Sequence, residues 1–234
     1  KERTVTINDA IVPYDYLVIA PGATTNFYGT AGADEHSFTL KNIEDAVKIK
    51  NHCIAQIERS VKEKDETKRK NMLRFVVVGG GPTGVELVAE LQELIAESFS
   101  RYYTCDTLKD VSVMLIQAGS QLVPQFNQKI RRKSLETLRK KGIQVMLNTS
   151  VKEIGSSHVI VNDGSKIFTD TVIWAAGIKP AEIKLSETVE KSPDGRLLVN
   201  EFLQLVNYKE VFAIGDIAAV KNKAAFESEL LHIL

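Results

Sequence analysis

A chain of 234 residues is long enough for one large domain or two small ones, each with its own buried core. Its 30 basic and 30 acidic side chains give a formal net charge of zero, so charge provides no general attraction for nucleic acid or anionic lipid. No apolar run approaches the roughly 18 residues that crossing a bilayer requires, which excludes a transmembrane segment within the chain. The first residues also lack the pattern of a signal peptide.

The two cysteines, Cys53 and Cys105, have the spacing of neither a disulfide framework, a metal knuckle nor a paired redox motif. We therefore expect two ordinary reduced thiols. No catalytic triad and no metal-ligand spacing is visible elsewhere in the sequence.

The first part of the chain predicts a strand followed by a long helix. The apolar run at residues 16–20 ends at Pro21 and Gly22, which is typical of a buried strand closed by a turn. Asn42 is a suitable N-cap for the helix that follows. An apolar stripe of helical period supports that helix and consists of Ile43, Ala46, Val47, Ile54, Ile57 and Val61. The charge-rich residues 59–74 indicate a solvated linker, with a membrane-facing basic patch as the alternative.

The middle of the chain predicts a parallel α/β sheet. Residues 75–78 form an apolar strand that leads into a glycine-rich turn and an amphipathic helix. Two further apolar strands, at residues 111–116 and 143–147, lie on either side of a basic helix at residues 129–141 that Gly142 closes. Apolar strands joined by helices favour a parallel sheet covered on both faces. We expect the strand at 75–78 to lie between the other two.

The remainder of the chain predicts more strands. Asn162, Asp163 and Gly164 indicate a hairpin turn. Residues 172–174 form another apolar strand that Gly177 stops, and residues 211–216 repeat the strand-to-glycine pattern. Residues 221–234 are weakly helical in pattern.

Gly79, Gly81 and Gly84 form a G-x-G-x-x-G motif between an apolar strand and an amphipathic helix. In a nucleotide site the first glycine allows a tight turn, and the second lets a pyrophosphate approach the backbone. The third lets the helix pack on the strand, while the helix N-terminus faces the phosphates. The context predicts dinucleotide binding, and a merely tight glycine turn is the alternative.

The residue that contacts the adenosine ribose is expected at the end of the second strand, which is Gln117. A carboxylate there would select NADH by repelling a 2′-phosphate, whereas an amide repels neither cofactor. We therefore expect weak discrimination between NADH and NADPH. No cation lies at residues 118–121, and Arg131 or Arg132 would approach only if the following helix directed them back.

Two carboxylates near glycines are further candidates. Glu86 falls in the first turn of the glycine-loop helix, where the helix dipole favours a carboxylate whatever its function; the alternative is a role beside a nicotinamide ring. Asp216 follows Gly215 at a strand end, where it would either meet a ligand or cap a helix. The residues alone leave both choices open.

Four motifs in order make the chain similar to a known family. They are Val78 to Glu86 (VGGGPTGVE), Leu115 to Gly119 (LIQAG), Trp174 to Gly177 (WAAG) and Val211 to Asp216 (VFAIGD). Their order and spacing over nearly the whole chain resemble the flavoprotein oxidoreductases with two dinucleotide-binding domains. Within these, the PTGVE continuation and the lengthened helix before the second strand most resemble the type II NADH:quinone oxidoreductases.

The resemblance implies an α/β fold in which a Rossmann-like NAD(P)-binding domain is inserted into a partial FAD-binding domain. The implied boundaries are a partial FAD-binding domain with a linker helix at residues 1–71, the NAD(P)-binding domain at 72–180, and the return to the FAD-binding domain at 181–234. FAD and NAD(P)H are the implied cofactors. A hydride would pass from the nicotinamide to the flavin and then to a quinone, and the cofactors would carry the chemistry.

The resemblance also assigns roles to individual residues. Glu86 would lie near the nicotinamide ring, as the catalytic candidate, and Asp216 would bond the ribityl chain of FAD. The cofactor-binding residues would be Gly79, Gly80, Gly81, Pro82, Thr83, Gly84, Gln117, Ala176, Gly177, Gly22, Gly215 and Asp216. The implied protein is an enzyme that associates peripherally with a bacterial membrane or the mitochondrial inner membrane, and a homodimer is one candidate assembly.

Three departures from the family accompany the resemblance. A first glycine motif for the FAD pyrophosphate is not found before Lys1, a quinone site and membrane helix are not found after Asp216, and Gln117 stands where glutamate is usual. The chain therefore looks like the middle part of a longer protein. A related flavoprotein reductase of the same superfamily, or a nucleotide-binding module without catalysis, is the alternative to the quinone oxidoreductase.

Overall fold

The computed structural model describes residues 3–103, 108–185 and 189–220. Cys105 and the weak helix predicted at residues 221–234 lie outside these ranges. The strands are β1 (Thr4–Ile7), β2 (Ala10–Pro13), β3 (Leu17–Ile19), β4 (Ala23–Thr25), β5 (Phe38–Thr39), β6 (Arg74–Val78), β7 (Ser112–Ile116), β8 (Gln144–Met146), β9 (Val151–Gly155), β10 (His158–Val161), β11 (Lys166–Phe168), β12 (Thr171–Trp174), β13 (Ile178–Pro180), β14 (Leu197–Val199), β15 (Gln204–Leu205), β16 (Tyr208–Ala213) and β17 (Ala218–Val220). The α-helices of the described residues are α1 (Ala33–His36), α2 (Ile43–Lys62), α3 (Glu66–Met72), α4 (Pro82–Glu93) and α5 (Gln128–Lys140), and a π-helical segment (Leu94–Ser98) and a 3₁₀ turn (Phe99–Arg101) continue α4.

The chain divides into two compact units. The central unit is residues 27–177, and the flanking unit combines residues 1–26 with residues 178–234. Helix α2 packs on the sheet of the central unit, and the domain boundaries at residues 71–72 and 180–181 stay predictions. Which cofactor each part of the chain holds stays a prediction.

The central unit contains a five-stranded parallel sheet in the order β5, β12, β6, β7, β8. The strand at residues 75–78 is the middle strand, and β7 is its neighbour, as predicted. The expectation that residues 143–147 form its other neighbour is wrong, because β8 pairs with β7 and β12 takes that place. Two successive right-handed crossovers carry the chain in one direction along a sheet, so the third strand lies beyond the second.

Both faces of this sheet are covered, as the apolar strands predicted. Phe75 and Val77 point into a core made with the helices, which includes Ile57 of α2 and Leu91 of α4. The alternate residues of β6 pack against the three-stranded antiparallel sheet of β9, β10 and β11. Phe75 is fully buried, and its truncation to alanine would cost about 3–5 kcal/mol. The hairpin predicted at Gly164 is the β10–β11 connection.

Helix α2 begins as predicted, because the side chain of Asn42 accepts a hydrogen bond from the backbone N–H of Asp45. Its buried face differs from the predicted stripe. Ile49, Cys53 and Ile57, spaced by four residues, enter the core, whereas Ile43 is 79% exposed. Burial raises the pKa of the Cys53 thiol to about 12, which agrees with an unreactive thiol.

The stretch at residues 59–74 is not only a linker. It contains the last turn of α2, helix α3 and the start of β6. The Asp65 side chain accepts hydrogen bonds from the N–H groups of Thr67 and Lys68 and so caps α3. No residue of α3 is buried, so the stretch is solvated as predicted, but it is helical over Glu66–Met72.

Helix α5 ends as predicted at Gly142, which has a φ of 81°. The N–H of Gly142 donates to the carbonyl of Arg139, and the N–H of Ile143 donates to that of Leu138. This pair of bonds is the Schellman motif, and the left-handed conformation it needs is easiest for glycine.

The flanking unit contains a sheet in the order β17, β14, β15, β16, β3, in which β16 and β3 are parallel. Its core is formed by Ile19, Leu197 and Ala213 with their neighbours. Val18 in β3 is 58% exposed, so this strand is only partly the buried strand that was predicted. Among the described residues, no helix has both the length and the hydropathy that crossing a bilayer requires.

Candidate functional site

The glycine loop of the central unit connects the carboxyl end of β6 to the start of α4. Pro82 is the first residue of α4, and Gly81 precedes it as the N-cap without a side-chain hydrogen bond. The first N–H groups of this 12-residue helix thus have no side-chain cap, and the positive end of the helix dipole is open to a ligand. Such a helix start is suited to an anion.

Gly79 and Gly84 are required by the packing of the protein itself. Gly79 has a φ of 114°, and a Cβ there would lie 2.6 Å from the backbone carbon of Ala175. A Cβ on Gly84 would lie 1.9 Å from the carbonyl oxygen of Gly79. The first and third glycines therefore allow the loop, α4 and the strand-to-coil segment after β12 to approach one another closely.

Gly81 differs from both, because a Cβ at this position would meet nothing within 4 Å. Its φ of −73° and ψ of −178° are accessible to any residue. Neither a packing contact nor a left-handed backbone requires a glycine here, although glycine is a favourable N-cap residue.

Gly80 links the glycine loop to the segment after β7. Its N–H donates to the side-chain oxygen of Gln117 at 2.8 Å, and its carbonyl accepts from the N–H of Val123 at 2.7 Å. A Cβ on Gly80 would lie 2.6 Å from the side chain of Leu122. Gln117 therefore supports the loop, a role that its position at a strand end did not reveal.

A cavity of about 400 Å³ opens at the carboxyl ends of the central strands. It is lined by Tyr28, Thr30, Val78, Gly79, Ile116, Gln117, Ala118, Thr149, Ser150, Val151, Trp174 and Ala176. The predicted binding residues Gly79, Gln117 and Ala176 are thus brought together. Parallel α/β sheets bind their ligands at this edge. Sequence reasoning missed Tyr28 and Thr30, which come from a segment far from the motifs.

Gly177 lies where the chain leaves β12, and the ring of Tyr28 covers it. A Cβ on Gly177 would lie 2.3 Å from the Tyr28 hydroxyl oxygen. Trp174, at the end of β12, packs against Phe27 with ring centroids 5.8 Å apart. The WAAG motif therefore forms one wall of the cavity, and its glycine accommodates an aromatic side chain.

Glu86 is exposed on α4, near the loop but outside the first turn. The helix begins at Pro82 and has no acidic residue in its first turn, so the explanation of Glu86 by the helix dipole is wrong. Among the residues that the structure describes, Glu86 forms no hydrogen bond or ion pair. Its carboxylate is accessible to a ligand.

The remaining candidates belong to the flanking unit. Gly22 has a φ of 73°, and its carbonyl accepts from the N–H of Ala181. Gly215 has a φ of 74° and begins a 3₁₀ turn, Gly215–Ile217, in which Asp216 is exposed. The alternative of Asp216 as a helix N-cap is wrong, because Asp216 lies inside this turn and β17 follows it.

Comparison with known proteins supports the same interpretation. Residues 1–230 match the family model described as pyridine nucleotide-disulphide oxidoreductase. A probable NADH dehydrogenase of Dictyostelium discoideum is 34% identical over 211 residues, which cover 90% of this chain and 47% of that protein. The mitochondrial external alternative NADH-ubiquinone oxidoreductase of Yarrowia lipolytica is 32% identical over 244 residues, covering 94% of this chain and 42% of that protein.

A solved structure agrees with these relatives. NDH2 from Plasmodium falciparum in complex with NADH superposes with a TM-score of 0.84 at 29% identity, covering 96% of this chain and 48% of that one. The chain thus spans under half the length of these relatives, and the resemblance to NADH:quinone oxidoreductases is confirmed. Because the family model matches almost from end to end, around a parallel sheet with its glycine loop, the chain belongs to the pyridine nucleotide-disulphide oxidoreductase family.

Proposed function

We propose that the central unit binds NAD(P)H with its pyrophosphate at the start of α4, and that the protein is a flavin-dependent NAD(P)H:quinone oxidoreductase. The observation that carries the dinucleotide site is the empty space beside Gly81. The other glycines of the motif have packing reasons, whereas Gly81 has none inside the chain. A pyrophosphate needs that space to reach backbone N–H groups.

The residues present fit a dinucleotide. The uncapped start of α4 provides N–H groups and a positive dipole end for the phosphates. The cavity continues from Gly79 to Gln117, at the end of β7, where the adenosine ribose of a Rossmann ligand lies. Thr149 and Ser150 add hydroxyl groups to the lining. Apolar walls with a few convergent polar groups are typical of cofactor sites.

The flavin and quinone parts of the proposal depend on the family and on its named relatives. When bound, FAD takes a hydride from NAD(P)H and passes two electrons to a quinone, which also takes up two protons. In this chain, Gly22, Gly215 and Asp216 would hold the flavin, and Glu86 would lie beside the nicotinamide. The protein would act at the surface of a membrane, as do quinone-reducing enzymes whose acceptor is dissolved in lipid.

The fluorescence of Trp174 makes the dinucleotide proposal testable, because this residue lines the cavity. Reduced nicotinamide near Trp174 should quench its emission by energy transfer, so titration with NADH gives a Kd. Gly81→Val should raise that Kd at least tenfold, about 1.4 kcal/mol. Ser156→Val, at an exposed turn between β9 and β10, is the control and should leave the Kd within about threefold.

The outcomes separate the possible functions. An unchanged Kd in Gly81→Val would refute the glycine-loop assignment. Purification of the full-length protein with a flavin absorption spectrum, together with NADH-dependent reduction of a soluble quinone, is expected for the oxidoreductase. Tight NADH binding without flavin and without quinone reduction would instead identify a nucleotide-binding module.

A further inference from the structure

Helix α5 begins with a concentration of positive charge that its own stability does not favour. Its first six residues include Lys129, Arg131, Arg132 and Lys133, and its first turn contains no acidic residue. The N-terminus is the positive end of a helix dipole, so positive side chains there destabilise the helix. A helix start that opposes the local preference of its own backbone points to a role outside the helix.

The positive charge is local, because the chain as a whole has a net charge of zero. From residue 112, at the start of β7, to residue 142, after α5, the chain contains seven basic side chains and one acidic side chain. Subtracting these from the 30 of each sign leaves 23 basic and 29 acidic side chains elsewhere. The acidic residue is Glu136, which pairs with Arg132 at 3.6 Å. Lys129 and Lys133 are exposed and form no hydrogen bond or ion pair with the described residues, so their charges face solvent.

The start of α5 lies at the same edge of the sheet as the cavity. A crossover helix runs antiparallel to the strands that it connects, so α5 begins near the carboxyl ends of β7 and β8 and ends near their amino ends. Arg131 shows that the connection is short, because its Nε donates to the carbonyl of Phe126 and its Nη1 to the side-chain oxygen of Gln121, both at 2.5 Å. The carbonyl of Gln121 in turn accepts from the side-chain nitrogen of Gln117, a cavity residue. Neither Arg131 nor Arg132 is itself part of the cavity lining.

The acidic residues of the segments around the cavity lie mostly on the opposite face of the sheet from α5. Asp34 and Glu35 of α1 and Glu153 of β9 belong to the face that the antiparallel sheet covers, whereas α5 packs on the other face. Glu86 lies in the second turn of α4. The N-terminal dipoles of α4 and α5 add positive potential at the carboxyl edge. Because the Debye length is about 8 Å at physiological ionic strength, charges beside a cleft act on an ion before contact is made. The side of the cavity next to α5 therefore attracts an anion.

We propose that Lys129 and Lys133 steer the dinucleotide towards its site, so that they increase its rate of association without touching it once bound. The proposal rests on the proposed function, since the anion is the dinucleotide of that site. Its pyrophosphate is negatively charged at neutral pH, and charge of opposite sign beside a cleft raises association rates by about 10- to 1,000-fold. A chain without net charge attracts an anion only through such a local arrangement. The helix gives up stability at its start in exchange for a faster encounter.

Association kinetics test the steering without any reaction. The purified full-length protein, with any bound flavin reduced beforehand so that no hydride is transferred, is mixed rapidly with NADH, and the fluorescence change gives the association and dissociation rate constants. The test variant is Lys129→Gln with Lys133→Gln. At about 20 mM salt its association rate constant should fall about three- to tenfold, and at about 0.5 M salt less than twofold. The dissociation rate constant should stay within about twofold at both salt concentrations.

The matched control removes the same charge from the other end of the same helix. Arg139→Gln with Lys140→Gln changes the last turn of α5, at the amino edge of the sheet, so the association rate constant should stay within about twofold. Urea unfolding verifies that both double variants are folded and provides a second comparison. The test variant should be at least as stable as the wild type, because its lysines oppose the helix dipole, whereas the control should lose stability.

The outcomes separate this inference from the proposed function. Failure of the wild-type protein to bind NADH would refute the proposed function. Normal binding with equal association rates at low salt in the wild type and the test variant, or equal losses in the two double variants, would overturn the steering alone. A loss confined to the dissociation rate would overturn it too, because the lysines would then contact the bound cofactor. Unchanged association rates together with weaker sedimentation on phosphatidylglycerol vesicles would assign the lysines to a membrane surface instead.

Discussion

The side-chain oxygen of Gln117 accepts a hydrogen bond from the backbone N–H of Gly80 at 2.8 Å, so the end of β7 holds the middle of the glycine loop. The residue predicted to contact the ribose thus also supports the segment predicted to contact the pyrophosphate. In the proposed site, this amide would couple the binding of the two ends of the adenosine diphosphate. This coupling determines how substitutions of Gln117 should be designed.

Gln117→Glu should shift the cofactor ratio towards NADH. A carboxylate still accepts the hydrogen bond from the N–H of Gly80, so the conformation of the loop is kept. It would repel a 2′-phosphate, and the hydrogen bond that the Gln117 amide donates to the carbonyl of Gln121 would be lost. We expect the NADPH Kd to rise at least tenfold, about 1.4 kcal/mol, with the NADH Kd within about threefold. The wild-type kcat/KM values for the two cofactors should lie within roughly tenfold of each other.

The control for this substitution is Gln117→Leu, which removes the acceptor without adding charge. It leaves the N–H of the buried Gly80 unpaired, at a cost of about 1–3 kcal/mol, so both cofactors should weaken together. A thousandfold preference of the wild-type protein for NADH, or an unchanged ratio in Gln117→Glu, would show that another residue determines the choice.

Gly84→Ala should destabilise the fold, unlike a substitution at Gly81. The new methyl group would lie 1.9 Å from the carbonyl oxygen of Gly79, so α4 must move away from β6. Overpacking of this kind costs about 1–3 kcal/mol. Gly81→Ala introduces no contact and should cost less than about 1 kcal/mol, mostly as a weaker N-cap. Urea unfolding compares the two variants, and equal losses of stability would contradict the packing argument.

The fold of the central unit was predictable where a local residue pattern indicates only one structural element. The apolar run at residues 75–78 predicted a strand buried on both faces, and Gly142 predicted the end of α5. The neighbour of β6 was not predictable from local pattern, because β12 is far along the chain and reaches that place only after the antiparallel sheet. The buried face of α2 was predicted only in part: Ile57 is buried as expected, but Ile49 and Cys53 were missed, and the predicted Ile43, Val47 and Val61 are exposed.

The candidate site was predictable to a similar extent. Of the predicted binding residues, Gly79, Gln117 and Ala176 line the cavity at the carboxyl edge of the sheet, whereas Gly81 and Gly84 do not. The side-chain contacts were not predictable, because the direction of Arg131 depends on rotamers and on the path of the loop. Tyr28 has a φ of 51° and reaches the cavity from a distant segment, so no local signal identified it.

Glu86→Gln should slow hydride transfer more than it weakens binding. The proposal places this carboxylate beside the nicotinamide, away from the phosphates, so its charge acts on the reacting ring. We expect flavin reduction by NADH in the full-length protein to slow about tenfold, or about 1.4 kcal/mol, in single-turnover experiments. Glu90→Gln, one helical turn further along α4 and also exposed, should change the rate less than threefold. Equal rates in the two variants would remove Glu86 from the site.

His52 provides a prediction about pH and stability. The Nε2 atom of His52 lies 2.9 Å from the hydroxyl of Thr171 and 3.3 Å from the side-chain nitrogen of Gln56. An unprotonated Nε2 accepts from both groups, which favours the neutral ring. Burial lowers the pKa of His52, the backbone carbonyl of Asp170 partly opposes this effect, and Arg59 lowers the pKa further.

Stability should therefore decrease as the pH falls below 6.5. The unfolded chain binds a proton near that pH while the folded chain resists it, so protonation favours unfolding until the lower native pKa is reached. Burial raises the pKa of Asp170 above its ordinary value of 3.8, and its opposite contribution therefore begins above that value as the pH falls, so measurements should stop at pH 5.5. We expect the urea midpoint to fall between pH 7.5 and 5.5 in the wild type and to fall less in His52→Gln. His36→Gln, at a half-exposed histidine of α1, is the control. Identical decreases in the wild type and in His52→Gln would show that His52 does not titrate in this range.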